Sequence, residues 1–220
     1  MTMTSGGRLD YFLRTIASLK NVDMEHISKC VVIDDGSSIE DINTMRDKWV
    51  DLFPDKSYLT IRNDQGGEFR HQHSMELWRS VVIATATHEF VFHCEDDFEF
   101  QPTKDYPLDW AITLLKDHDW IGQVCFSKRR HAGPDLHLSK FWCMTQENSP
   151  DFAPSRVTFN PSVWRVDSIR ATGGFRRVPG FEVEYGNRWA GRGYVTAYHP
   201  VGFAEHIGIE SCYEKYGSVR

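Results

Sequence analysis

Apolar residues in the first half of the chain follow two alternating spacings. Helical spacing, with apolar residues three or four positions apart, occurs near 9–19, 42–52 and 77–85. Between these segments, short runs of β-branched or aromatic residues predict strands at Cys30–Ile33, Tyr58–Ile61 and Phe90–His93. A short segment before residue 9 could form an opening strand. Strands that alternate with helices predict an α/β fold, with a mostly parallel central sheet flanked by helices.

The second half of the chain is less regular. Its apolar pattern predicts helices near 108–115 and 183–190 and strands near 121–126 and 194–200. Residues 127–156 are polar and rich in Pro, His and Trp, and we interpret them as a loop with some local structure. Loops of that length inside a compact domain are usually functional or disordered. Because no repeat or clear linker is visible, residues 1–220 indicate a single domain.

Charge and composition narrow the function classes. The chain has 25 basic and 31 acidic residues, a net charge of −6 and no basic run, so we expect no nucleic-acid partner. Its five cysteines include no CxxC pair, which argues against a disulfide framework or cysteine zinc site and favours a reducing compartment. No apolar run approaches the ~20 residues of a membrane span, and the first residues do not resemble a secretory signal. We therefore expect a soluble cytoplasmic protein.

Two of the predicted strands end in carboxylates. Asp34 and Asp35 follow the first of these strands, and Glu95, Asp96 and Asp97 follow the other. Because parallel strands present their carboxyl ends at one edge of a sheet, we expect both clusters at the same edge. Clustered carboxylates repel one another, and a bound divalent cation removes that penalty. Hard oxygen ligands favour Mg²⁺ or Mn²⁺.

Each acidic cluster also has a simpler interpretation. The triplet could be a solvated turn, because charged side chains usually lie in water. Ser38, followed by Asp41 three residues later, predicts the start of a helix, so the turn of residues 34–38 could act only as its cap.

Several segments, taken in order, resemble one enzyme family. Val31–Ser38 is similar to the nucleotide-binding segment of GT-A glycosyltransferases, especially the inverting family 2. Glu95–Glu99 resembles their DXD motif, in the Glu-Asp-Asp form of N-acetylglucosaminyltransferase I. Thr4–Leu19, Gly66–Trp78 and Gly180–Tyr194 resemble further segments of the family. The resemblance covers nearly the whole chain and implies a GT-A (Rossmann-like) fold.

The resemblance also implies ligands and their contacts. The donor would be a nucleoside diphosphate sugar, with UDP-sugars favoured, held by the half near 1–100. The half near 101–220 would bind the acceptor, a glycan or another hydroxyl-bearing molecule. Asp97 would bind Mn²⁺ or Mg²⁺, with His206 as a further ligand or a donor to the phosphates, and Asp35 would hydrogen-bond the base. The residues expected to contact the nucleotide are Thr4, Gly6, Arg8, Asp35, Arg70, Glu95 and Asp96.

Glu182 and Glu184 are the candidates for the general base. An inverting transfer needs one carboxylate to take the proton of the acceptor hydroxyl. Glu182 stands where the family has its catalytic Asp, and Phe181 stands where the family usually has Glu. Residues two apart on a helix point in different directions, so at most one of the two should face the site. Alternatively, both glutamates have no catalytic role and only stabilise the N-terminus of the helix, where its dipole favours negative charge.

Two other functions stay open. A sugar nucleotidyltransferase would use a similar half-sheet, but it should have a lysine soon after its opening glycines, and none occurs before Lys20. A nucleotide-sugar-binding module without catalysis is favoured only by the changed Phe181-Glu182 pair. Trp142 and Trp164 are expected to pack in the core or at the surface, with stacking on a sugar ring as the alternative.

Overall fold

The computed structural model describes residues 1–64, 70–84, 87–103, 107–127, 157–198 and 202–208, and the backbone of 136–138 and 141–144. The described helices are α1 (Leu9–Ser18), α2 (Ile39–Leu52), α3 (Arg70–Ala84), α4 (Pro107–Asp117), α5 (Val166–Thr172) and α6 (Phe181–Ala190). The described strands are β1 (Thr2–Ser5), β2 (Lys29–Asp34), β3 (Ser57–Arg62), β4 (Phe90–Glu95), β5 (Phe98–Phe100), β6 (Ile121–Cys125), β7 (Leu136–Leu138), β8 (Phe141–Met144), β9 (Ser162–Arg165), β10 (Val195–Tyr198) and β11 (Ala204–His206).

The main sheet has the strand order β3-β2-β1-β4-β9-β6-β10-β8-β7 among the described residues. Strands β3, β2, β1 and β4 pair in parallel, and so do β6 and β10. Strand β9 runs antiparallel between β4 and β6, so these two neighbours share one direction. The predicted α/β fold, with a mostly parallel sheet flanked by helices, is confirmed.

Helices cover both faces of this sheet. Successive side chains of a strand point to opposite faces, and β2 shows the consequence. Cys30 and Val32 join a core cluster that includes residues of α1, α2 and α4, whereas Val31 and Ile33 join a second cluster built with α3, α5 and α6. The sheet is therefore buried on both sides, as its continuous apolar run indicates.

Most predicted elements are present within a few residues of their expected bounds. The predicted helix start is confirmed, because the Ser38 hydroxyl accepts a hydrogen bond from the Asp41 amide (3.0 Å) at the N-terminus of α2. Helix α6 begins two residues before the predicted segment, at Phe181, so both candidate glutamates belong to its first turn. Strands β7 and β8 are local structure within the segment 127–156, most of which lies outside the described residues.

Two features differ from the sequence prediction. Strand β9 and helix α5 were not expected, because the four residues Ser162–Arg165 are too short to show a periodic pattern. A second sheet joins β5 to β11 in antiparallel pairing and continues the chain beyond the acidic triplet. Trp164 is fully buried in the core, which agrees with packing rather than sugar stacking. The side chain of Trp142 lies outside the described residues.

No helix in the described part of the chain has both the length and the apolar character required to cross a membrane.

Candidate functional site

Three neighbouring strands end at the same edge of the sheet. Ser5 lies beside Asp34 in the β1–β2 register, and Thr4 lies beside Glu95 in the β1–β4 register. One residue further on, the Asp35 amide donates a hydrogen bond to the Ser5 carbonyl (2.7 Å). The structure therefore brings both acidic strand ends to one rim, as parallel pairing requires.

Asp96 is buried beneath this rim. Its Oδ2 atom accepts hydrogen bonds from the Ser5 hydroxyl (3.1 Å) and the Gly6 amide (3.0 Å), and its Oδ1 atom accepts from Arg8. Its backbone carbonyl accepts from the Thr15 hydroxyl (2.7 Å). Burial raises the pKa of Asp96 to about 6, although Arg8 and the Gly6 amide favour its ionised form. Asp96 thus fastens the β1–α1 connection to the end of β4.

Arg8 contacts both aspartates of the triplet. One guanidinium nitrogen donates to Asp96 and the other to Asp97 Oδ2 (2.7 Å). Its guanidinium also lies 5.7 Å from the ring centroid of Tyr11. Burial opposes the charge on Arg8, but the two carboxylates outweigh it and raise the pKa of the guanidinium. A permanent positive charge therefore lies at the end of β4.

Asp97 is reached by a distant segment of the chain. Its Oδ2 atom lies 3.1 Å from Nε2 of His206, and its carbonyl accepts a hydrogen bond from the Ile207 amide (2.8 Å). Gly208 follows, and a Cβ atom there would lie 2.6 Å from Asp97 Oδ2 and 3.0 Å from His206 Nε2. The fold therefore brings together Asp97 and His206, which the sequence analysis proposed as metal ligands. Gly208 lies beside them, at a position where any side chain would collide with both.

The chemistry of Asp97 and His206 fits a divalent cation. In the described residues, three metal-binding side chains converge within 4.8 Å only at Asp23, His26 and Asp109. Asp23 is already engaged there, because its carboxylate accepts the amides at the N-terminus of α4. The rim offers one imidazole and one carboxylate, whose Oδ2 atom also accepts from Arg8 (2.7 Å). That small set suits Mg²⁺ or Mn²⁺, which commonly complete their coordination with substrate phosphates and water.

The two aspartates after β2 have different surroundings. Asp34 is fully buried, accepts hydrogen bonds from Ser37 within its own turn, and has its pKa raised by burial. Asp35 lies at the rim and accepts from Arg70 Nε and from Asn63 Nδ2 (3.1 Å). Asp34 therefore shapes the turn, whereas Asp35 is the one placed to meet a ligand.

Gly36 lets Arg70 approach this turn. Its φ of +100° is rarely adopted by other residues, and a Cβ atom at Gly36 would collide with the Arg70 guanidinium. Arg70 begins α3, so the Gly36 backbone, the β2 end and the α3 N-terminus meet at one point. A glycine is thus required in the Asp-Asp-Gly-Ser segment because the Arg70 guanidinium packs directly against its backbone. The predicted glycine-containing stretch before Arg70 lies largely outside the described residues.

The structure separates the two candidate bases. Glu184 is bound to Arg188, with Nε–Oε1 and Nη2–Oε2 distances of 2.7 and 2.9 Å, and Arg176 lies 3.1 Å away. Arg188 in turn donates to the Gly174 carbonyl (2.7 Å). Glu182 lies elsewhere, with Oε1 3.5 Å from His71 Nε2. Glu184 is thus occupied in fastening α6 to the segment before it, and Glu182 is the one directed to the first turn of α3.

Glu95 and His71 complete the site. Burial, together with the charges of Asp97, Glu182 and Asp96, raises the pKa of Glu95 to about 8, while His71 opposes the rise. These neighbours link the end of β4 to α3 and α6. Groups from β4, α3 and α6 therefore influence the pKa of Glu95, which the sequence predicted as a site residue.

Sequence reasoning missed two residues of this site. Asn63 directly follows β3 and contacts Asp35, so the argument applied to the other strand ends could have found it. His71 is adjacent to Arg70, but neither its spacing nor its composition distinguished it from the chain's other histidines.

No model of a known protein family matches the chain, and no characterised protein matches it in sequence. Solved structures do share its fold. TarS of S. aureus (residues 1–349) is 12% identical with a TM-score of 0.64, covering 92% of this chain and 58% of that one. A mannosyltransferase of Pyrobaculum calidifontis, in complex with GDP-Man and Mn²⁺, is 14% identical with a TM-score of 0.60, covering 96% and 58%. GalNAc-T7 with UDP, GalNAc and Mn²⁺ is 10% identical with a TM-score of 0.66, covering 94% and 43%.

A candidate glucose-1-phosphate thymidylyltransferase from Bacillus anthracis also matches, at 12% identity and a TM-score of 0.55, covering 93% of this chain and 88% of that one. The chain spans less than two thirds of the length of the three transferase structures. At these identities the likeness concerns architecture. The chain has the GT-A (Rossmann-like) fold of these proteins.

Proposed function

We propose that this protein is a metal-dependent glycosyltransferase that moves a sugar from a nucleoside diphosphate sugar to a hydroxyl acceptor, with inversion. The observation that carries the proposal is the shared edge of Asp35, after β2, and the acidic triplet at the end of β4, since the Asp35 amide and the Asp96 carboxylate both bond to Ser5 of β1. A nucleotide that reaches from one strand end to the other would place its base near the first and its diphosphate near the second. The structural neighbours support this reading, since two of them hold a nucleotide or nucleotide sugar with Mn²⁺.

Asp97 and His206 are the residues that would hold Mn²⁺ or Mg²⁺. When bound there, the ion would supply positive charge against the diphosphate as the sugar departs. Arg8, fixed against Asp97 at 2.7 Å, adds a positive charge to the same area. Thr4 and Gly6 line the end of β1, and Gly6 is oriented by the bond between its amide and Asp96.

Asp35 and Arg70 would form the base end of the donor site. A carboxylate accepts hydrogen bonds from the N–H groups of uracil or guanine, whereas the edge of adenine offers fewer such donors, and we favour UDP-sugars. Arg70 and Asn63 orient the Asp35 carboxylate through Oδ1. This preorganisation reduces the entropy lost when the base binds.

Glu182 would act as general base. Its side chain is 43% exposed and has no bond to an arginine in the described structure, unlike Glu184, which is held by Arg188. A base must be within hydrogen-bond reach of the hydroxyl it deprotonates, which requires a side chain free to approach the acceptor. The half near residues 101–220 would present that acceptor, a glycan or another molecule with a free hydroxyl.

A donor panel tests the proposal. Purified protein is mixed with UDP- and GDP-sugars, with Mn²⁺, with Mg²⁺ or with chelator, and the released nucleoside diphosphate is measured. We expect release that requires a divalent cation and increases with a suitable acceptor, and NMR of the product should show the inverted anomer. Turnover that persists in chelator would reject the metal assignment, and retained configuration would reject inversion.

The same experiment separates two other functions. A sugar nucleotidyltransferase, whose fold is shared by one neighbour, would release inorganic pyrophosphate from a nucleoside triphosphate and a sugar 1-phosphate. A binding module without catalysis would bind UDP or a UDP-sugar by calorimetry and release nothing from the panel. Either result would replace the transferase.

A further inference from the structure

His71 and Glu182 form a contact across the candidate site. His71 lies in the first turn of α3 and Glu182 in the first turn of α6, and their Nε2 and Oε1 atoms are 3.5 Å apart. The His71 ring also meets the ring of Phe181 edge-on, with centroids 5.5 Å apart. The imidazole is therefore restricted by an aromatic neighbour and directed at the carboxylate.

This contact is not required to hold the two helices together. The side chain of Gln72 donates to the Val178 carbonyl (2.8 Å), and Glu76 accepts from the Phe175 amide (3.0 Å), so α3 is already fastened to the segment before α6. The side chains of His71 and Glu182 are 33% and 43% exposed. An ion pair that is so exposed to water contributes little to stability. The position of His71 at the rim is better explained by its effect on the orientation of the Glu182 carboxylate.

Acidic groups from three elements face His71. They are Glu182 of α6, Glu95 at the end of β4 and Asp35 after β2. Burial works against the charged imidazole, but the hydrogen bond to Glu182 and the neighbouring acidic groups outweigh it and raise the pKa of His71. The imidazole is thereby favoured as a charged hydrogen-bond donor to the Glu182 carboxylate.

We propose that His71 is a positioning residue for the transfer reaction, which holds the Glu182 carboxylate directed at the acceptor hydroxyl. The inference rests on the proposed function. His71 makes no contact with the reacting atoms in this role; it acts through Glu182 alone.

The test compares His71→Gln with Gln72→Ala, which removes a neighbouring α3 contact without touching Glu182. The values of kcat and of KM for donor and acceptor are measured from nucleoside diphosphate release with the best UDP- or GDP-sugar of the panel and Mn²⁺. We expect His71→Gln to lower kcat by about tenfold or more, because a base that is no longer held in position reacts more slowly. The KM and the affinity for the donor should not change, and Gln72→Ala should keep the wild-type kcat.

A second measurement does not depend on activity. The pKa of the His71 imidazole is followed by NMR in the wild type and in Glu182→Gln, with the signal assigned by its absence in His71→Gln. We expect the pKa to fall in Glu182→Gln. An unchanged pKa of His71, or a His71→Gln enzyme with the wild-type kcat, would overturn the inference and leave the transferase standing. Weaker donor binding by His71→Gln with an unchanged kcat would assign His71 to the donor instead. A wild-type protein that releases nothing would overturn the proposed function and with it this role of His71, even where the NMR contact is present.

Discussion

The Nε2 atom of His206 lies 3.1 Å from Oδ2 of Asp97, although 109 positions separate the two residues in the chain. The pairing of β11 with β5 delivers the histidine, because β5 begins directly after Asp97 and lies beside β11 with Phe98 opposite His206. A second sheet of only two strands thus turns two distant residues into a pair of candidate ligands.

Asp97→Asn should weaken divalent-cation-dependent donor binding. The substitution keeps the size of the side chain but removes the charge that a hard cation requires. We expect the affinity for UDP in the presence of Mn²⁺, measured by calorimetry, to fall by about a hundredfold or more, at or above the upper end of the range for loss of a supporting residue. Glu99→Gln is the matched control, because Glu99 is exposed, two residues away, and paired only with Arg14 in the described structure. Equal affinity of Asp97→Asn and wild type would remove Asp97 from the metal site.

Gly208→Ala should disturb the same pair without removing either ligand. The new Cβ atom would lie 2.6 Å from Asp97 Oδ2 and 3.0 Å from His206 Nε2, so one of the two side chains has to move. Misplaced ligands bind metal less well, and we expect Mn²⁺ affinity, followed by the EPR signal of the free ion, to fall by about tenfold. The thermal midpoint should change little, since the affected atoms lie at the rim. Unaltered Mn²⁺ binding would show that the ion does not sit between Asp97 and His206.

Glu182→Gln and Glu184→Gln should have opposite effects. Loss of a general base lowers the rate by about a hundredfold or more, and donor binding should stay intact, so we expect this result for Glu182→Gln. Glu184→Gln breaks the pairs with Arg188 and Arg176 and should lower the melting temperature more than the rate. The measurements are initial rates of nucleoside diphosphate release, UDP affinity and thermal unfolding on both variants. If Glu184→Gln is inactive and Glu182→Gln has normal activity, Glu184 is the general base instead of Glu182.

The rim could be predicted from sequence because it depends on local rules. Parallel strands that end in Asp35 and in Glu95 must bring those residues to one edge, and the register of β1 with both strands does so. The Glu184–Arg188 pair also left a signal, since residues four apart on a helix are neighbours. That spacing could have indicated a structural role for Glu184, although the sequence analysis left both glutamates as candidates.

Other features could not be found this way, because they depend on the path of distant segments. Strand β9 enters the sheet between β4 and β6 with only four residues, too few for a pattern. The contact of His71 with Glu182 requires α3 and α6 to meet, and no spacing in the chain encodes that meeting. Arg8 was expected at the nucleotide, and its bonds to both aspartates of the triplet arise only when β1 and β4 become neighbours.

A buried histidine should make the stability of the fold depend on pH. His93 is fully buried in β4, and its Nδ1 atom lies 3.1 Å from the Thr2 hydroxyl, which itself accepts a hydrogen bond from the Trp78 indole (2.9 Å). A threonine hydroxyl can accept from Trp78 and donate to Nδ1 of a neutral His93 ring, and Nε2 has no hydrogen-bond partner among the described residues. The neutral ring is the expected state of His93, because a charged imidazole would be buried in this core without a partner for its second proton.

The sign of the effect follows from this. Burial, with a smaller effect from the N-terminal ammonium, lowers the pKa of His93 from 6.5 to about 3. Between these values the unfolded chain binds a proton that the native protein excludes, so the free energy of unfolding falls as pH falls from 6.5 towards 3. One such group contributes a slope of about 1.4 kcal/mol per pH unit. His93→Gln removes this contribution, and the difference between wild type and variant in urea unfolding should narrow steadily below pH 6.5. His88→Gln, at an exposed position, should keep the wild-type slope. A difference that stays constant from pH 7 to pH 5 would mean that the native protein accommodates the charged ring of His93.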